Sequence, residues 1–130
     1  MSELVTVSIE NGIADVRLNR VDKYNALSPA MFQAIIDAGE TLAQNRDVRV
    51  VVLSGNGRGF CAGLDMGSFQ NMSEKSTGDS DTATLVARDD DRTENFAQRP
   101  ALVWKRLPVP AIAAIHGVAF GGGCQIALGA

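Results

Sequence analysis

The sequence is poor in the residues that most often carry chemistry. Histidine, tryptophan and tyrosine each occur once and cysteine twice in 130 residues. The single histidine, His116, precedes Gly117 at the end of an apolar run with no carboxylate or cysteine beside it. It reads as a turn residue, because a general base needs a positioned partner. Cys61 and Cys124 sit in glycine-rich turns without the spacing of a disulfide framework or a zinc site, and both read as small, reduced packing residues. No metal site is expected. Twelve Lys and Arg against fifteen Asp and Glu leave a net charge of -3, which argues against nucleic acid as a partner because phosphate binding wants a basic face. No run approaches the roughly 18 apolar residues of a membrane span. The opening "MSELVTVSIE" has neither the basic region nor the apolar stretch of a signal peptide, so the expectation is a cytoplasmic protein with no membrane partner.

What remains is enough for one folded domain. Apolar residues make up 45% of the chain and charged residues 21%, the balance of a soluble globular protein, and the length suits one domain rather than two. Residues 4–9 and 13–18 alternate in polarity around an Asn-Gly pair, the signature of a β-hairpin with a type I′ turn. Ala14, Val16 and Leu18 share one face. Ser28 and Pro29 then form an N-cap and first helical position, and Phe32, Ile35, Ile36, Gly39 and Leu42 recur at helical spacing, predicting a helix over 29–45. The valine-rich stretch 47–55 predicts a strand covered on both faces. Residues 67–95 are polar and irregular, either a mobile lid or a solvated surface segment. A helical stripe over 94–107 carries Phe96, Val103 and Leu107, with Pro100 starting or kinking it. "LPVPAIAAIHG" reads as an extended, buried strand with its prolines at the near end. Strands alternating with helices predict an α/β layered domain.

One pattern occurs twice: a buried strand, a glycine-rich turn and the start of a helix. Such a turn presents backbone N–H groups at a helix N-terminus, where oxygen anions bind. A dinucleotide or nucleotide site does not fit, since "GNGRGF" lacks the third glycine of GxGxxG at its place and no GxxxxGK[ST] occurs. Two uses remain open from the residues themselves: donors of an oxyanion hole, or glycines that merely permit positive φ and close helix packing.

Three stretches, "NRVDKYNAL" (19–27), "SGNGRGFCAGLD" (54–65) and "PVPAIAAIHGVAFGGGCQIALGA" (108–130), together resemble the N-terminal half of the crotonase family of enoyl-CoA hydratases and isomerases. The resemblance implies a crotonase-like ββα spiral, of which residues 1–130 would be the N-terminal, truncated part. It also implies an acyl-CoA thioester substrate, with coenzyme A belonging to that substrate and no separate cofactor. The thioester oxygen would be held by the backbone N–H groups of Leu64 and Gly122, Gly122 flanked by Gly121. The coenzyme A portion would lie along Lys23, Tyr24, Asn25 and Ala26 and along Ala62, Gly63 and Asp65, with Lys23 and Arg58 as candidate phosphate contacts. The segment 67–95 falls where the family has a variable, mobile stretch beside the acyl pocket. Family members are homo-oligomers, so the whole-length protein would be a trimer or hexamer.

The sequence departs from the family at one point that matters. A hydratase of this kind activates water with two glutamates, and the position of the first is Gln125. An amide has no proton to exchange near pH 7, so Gln125 can orient a water or thioester but not act as acid or base. The second acidic position would lie beyond Ala130. An isomerase or diverged hydratase is therefore implied, and a non-catalytic acyl-CoA binder or inactive truncated homologue is the other reading. Without later strands to pack on it, the final helix would be marginal and the chain would expose apolar surface.

Overall fold

The computed structural model describes residues 3–68, 70 and 85–130. Most of the expected 67–95 loop lies outside the described residues. A four-stranded sheet in the order β1-β2-β3-β4 forms the framework. β1 (Val5–Glu10) and β2 (Ile13–Leu18) form the hairpin around Asn11 and Gly12, both at positive φ as a type I′ turn requires. β3 (Val50–Gly55) runs parallel to β2, and β4 (Ala111–Ala113) runs parallel to β3.

The connection from β2 to β3 is α1 (Pro29–Ala43), whose Ser28 side chain accepts a hydrogen bond from Met31 N. The helical spacing puts Met31, Phe32, Ile35, Ile36, Gly39 and Leu42 on its buried side. Met31, Phe32, Ile35 and Leu42 meet Ala14, Val16 and Leu18 of β2 and Val51 and Leu53 of β3 in a single core that also takes in Phe60, Cys61, Trp104 and Ile126. Side chains alternate across a strand, so only one face of the sheet is covered in this way. Val50 and Val52 keep partial exposure, and the expectation of a strand covered on both faces is corrected accordingly.

α2 (Arg99–Lys105) starts later than its apolar stripe suggests. Asn95 N donates to Gln98 Oε1 and Gln98 N to Asn95 Oδ1, a reciprocal box that makes a turn before the helix, and Pro100 sits in its first turn. Phe96, outside the helix, still packs on Phe32 with ring centroids 5.9 Å apart. The stretch after Pro108 is the largest departure. β4 has only three residues, and Ile112 and Ile115 are 55% and 50% exposed. Ile112 stands in register with Val52, on the face of the sheet away from the core, which leaves it exposed. α3 (Gly122–Gly129) follows the last glycine turn. No helix among the described residues is long and apolar enough to cross a membrane.

Candidate active site

Two turns that are distant in sequence lie side by side. Phe60 N donates to His116 O, Cys61 N to Val118 O and Phe120 N to Cys61 O, which zips the turn after β3 to the turn after β4. The two glycine-rich turns therefore converge in space. Gly63 marks a close approach: at φ 90°, a Cβ there would stand 2.8 Å from Phe120 O and 3.8 Å from Gly122 N. A side chain would be strained and would push the turns apart.

The same segment is fastened to the loop before α1. Leu27 N donates to Gly63 O, and Asp65 N donates to Leu27 O. In a parallel pairing of this kind Leu27 bonds to the residues on either side of Leu64, and the N–H of Leu64 itself is directed away. Gly122 N is the first amide of α3 and has no intrahelical acceptor. Among the described residues neither amide has a protein acceptor. Gly121, at φ 50° and ψ −117°, supplies the backbone conformation that turns the chain into α3.

Both residues line a cavity of about 540 Å³. Its walls are apolar: Leu27 and Phe32 from α1 and its approach, Met66 after the first turn, Pro100 and Ala101 of α2, and Ile126 of α3. Among the described residues Gln125 is the polar side chain that lines it. A concave, mostly apolar site with a few convergent donors is the usual form of a small-molecule pocket. Unpaired amides at its edge, one of them at a helix N-terminus, suit an oxygen that gains negative charge.

The remaining expected contacts divide into exposed and committed groups. Lys23 and Tyr24 are exposed, and Ala62 and Gly63 line the cavity. Arg58 is exposed, and its hydrogen bond with Tyr24 raises its pKa. Asn25, expected beside the coenzyme A portion, is fully buried. Its Oδ1 accepts from Arg20 N at 2.7 Å, and its Nδ2 donates to the carbonyls of Asn56, Gly59 and Phe60. Its own carbonyl accepts from the Cys61 thiol. Asn25 holds the turn and has nothing left for a ligand. It also stabilises consecutive left-handed residues, Tyr24 at φ 51° and Asn25 at φ 55°.

Ala26 is committed too, its N–H to Lys23 O and its carbonyl to Arg20 Nη1. The Asp65 carboxylate faces Ser68 and Arg20, which hold its pKa below the usual carboxylate range, the Ser68 hydroxyl contributing most. Arg20 was missed in the sequence, where nothing but its place in "NRVDKYNAL" distinguishes it. Cys61 packs in the core as expected, and burial raises its pKa. Cys124 does not pack: it is exposed on α3, and its reading as a packing residue is corrected. His116 is an exposed turn residue with Nε2 2.7 Å from Gly57 O. Among the described residues no group of three or more His, Cys, Asp and Glu is placed to hold a metal ion.

Residues 8–130 match the family described as Enoyl-CoA hydratase/isomerase. The chain is 31% identical over 124 residues to the peroxisomal Delta(3,5)-Delta(2,4)-dienoyl-CoA isomerase of Arabidopsis thaliana, covering 95% of this chain and 44% of that protein. It is 36% identical over 131 residues to the 2,3-dehydroadipyl-CoA hydratase of Escherichia coli, covering 98% and 44%. The crystal structure of an enoyl-CoA hydratase from Mycobacterium smegmatis superposes with a TM-score of 0.75 at 35% identity, over 96% of this chain and 44% of that one. The chain thus spans less than half the length of the relatives it matches.

Proposed function

We propose that this chain, which belongs to the enoyl-CoA hydratase/isomerase family, carries the oxyanion-hole half of an enzyme acting on an unsaturated acyl-CoA. The observation that supports this most is the pair of unpaired amides, Leu64 and Gly122, at the edge of an apolar cavity that also holds Gln125. A thioester carbonyl seated between them accepts two hydrogen bonds, and these strengthen as charge moves onto the oxygen when a proton leaves the α-carbon. One such donor is worth about 3–4 kcal/mol of transition-state stabilisation. The apolar walls take the acyl chain, and the exposed surface around Lys23, Tyr24 and Arg58 takes the coenzyme A portion.

Gln125 bears on the reaction class. Its amide donates and accepts hydrogen bonds but exchanges no proton near neutral pH. It orients a water or the thioester, and the proton transfers of hydration fall to other groups. Double-bond migration or a diverged hydration fits this better than the ordinary two-carboxylate hydration. The same residue favours a second reading, an acyl-CoA binder without turnover. In the whole-length protein this half belongs to a homotrimer or hexamer, a reading supported by the apolar side chains of Ile112, Ile115, Phe120 and Leu128 left at the surface.

Calorimetric titration of the chain with an enoyl-CoA and with its thioether analogue, in which a methylene replaces the carbonyl, tests the hole directly. The thioester is expected to bind about tenfold or more tightly, the value of a hydrogen bond to a polarised oxygen. Equal affinities would remove the oxyanion reading. Assays of hydration and double-bond migration on the same samples separate an enzyme from a binder.

A further inference from the structure

We propose that Arg20 is a positioning residue for the oxyanion hole, acting through Asp65 on the amide of Leu64. This rests on the reading of Leu64 as a donor and adds the element that holds it in place. Arg20 spans the gap between the segments that frame the site. Its Nη1 donates to Ala26 O at 3.0 Å, its Nη2 lies 2.8 Å from Asp65 Oδ2, and its backbone N donates to Asn25 Oδ1. Both partners of the ion pair are about four-fifths buried.

The geometry explains why an arginine is needed. Leu64 is set by two backbone bonds, Leu27 N to Gly63 O and Asp65 N to Leu27 O, in an isolated bridge that Ala62 N to Tyr24 O supports on its N-terminal side. The backbone bonds hold the segment up to Asp65 N, and past that point the Arg20 ion pair ties it to the loop before α1. The planar guanidinium reaches across the bridge, touching residue 26 on one side and residue 65 on the other, and closes a loop of contacts that resists rotation of the strand. Ser68 Oγ donates to the second contact point, Asp65 Oδ2, so the carboxylate is anchored from both directions. Rotation there swings the Leu64 N–H while leaving the walls supplied by α1, α2 and α3 in place. Arg20 does not line the cavity; its carbonyl accepts from Lys23 N and Asn25 N, while its guanidinium reaches Ala26 O and Asp65, so loss of the guanidinium bears on the use of the thioester carbonyl rather than on the cavity walls.

The test measures thioester and thioether affinity for the whole chain carrying Arg20→Met, Arg20→Lys and Asp65→Asn, with thermal melting as a check on folding. Arg20→Met is expected to lower the preference for the thioester by about five- to tenfold while thioether binding stays near wild type, since small misplacements of a donor are costly. Arg20→Lys restores part of the preference because it keeps the charge but not both contacts. Adding Asp65→Asn to Arg20→Met costs nothing further, as expected of residues that act as one unit. Equal weakening of both ligands, or an unchanged preference in a folded Arg20→Met chain, overturns the proposal. Absence of a preference in the wild type would instead defeat the oxyanion reading. The strut is then judged by hydrogen exchange at the Asp65 amide, which must quicken in Arg20→Met and recover in Arg20→Lys; unchanged exchange overturns it.

Discussion

Asn25 shows how one side chain can do work that looks like ligand binding in the sequence. A buried amide with one acceptor and two donor hydrogens serves four backbone groups across a gap of more than thirty residues. Asn25→Ala leaves three carbonyls and an amide without a partner, and the expected loss is about 2–4 kcal/mol, since buried groups left unsatisfied cost more than the bond itself was worth. Denaturant titration checks this. Wild-type stability in the variant would show that water replaces the amide. The motif "NRVDKYNAL" carried its importance visibly, but its assignment to substrate followed the family pattern, whereas burial and hydrogen bonding assign it to the turn. The proposed donors, Leu64 and Gly122, are main-chain groups, so the reading of them depends on glycine placement rather than on side-chain identity.

Elements were readable wherever a local rule applied. The Asn-Gly turn, the Ser-Pro start of α1 and the apolar periodicity of that helix each depend on neighbouring residues, and each appears where expected. β4 and α2 were less readable because their limits depend on partners: a strand ends where its neighbour does, and a reciprocal Asn95–Gln98 turn displaces the helix start. The loop before α2 also contributes the most buried acid. Glu94 is 2% exposed and paired with Arg106, which, with help from Arg92, lowers its pKa to about 2 from 4.5 despite the opposing effect of burial. The folded-state value is depressed, so the stabilisation is complete above pH 4.5 and is lost as the pH falls from there towards 2. Glu94→Gln is expected to cost about 1–3 kcal/mol at pH 7, discounted because Arg106 is half exposed. Melting curves of the two proteins should converge across that acid window. A constant difference down to pH 2 would place the effect elsewhere.

At the scale of the molecule, the core lies on one side of the sheet while Ile112, Ile115, Phe120 and Leu128 stay at least half exposed. An edge strand with exposed apolar residues is a template for association. The chain alone is expected to self-associate with rising concentration in sedimentation velocity, and Ile112→Lys, remote from the cavity, to shift it towards monomer with acyl-CoA affinity unchanged. A monomeric wild type at high concentration would contradict this. The zipper between the two glycine turns has a further consequence, in time rather than space. Leu64 and Gly122 are separated in the chain by α2 and β4, so the pairing of Cys61 with Ala119 is among the least local contacts of the fold. Loop closure of that length comes late in folding. The hairpin and α1 can be native while the site does not yet exist, and a refolding chain should recover its helix signal before it recovers any ability to hold a thioester.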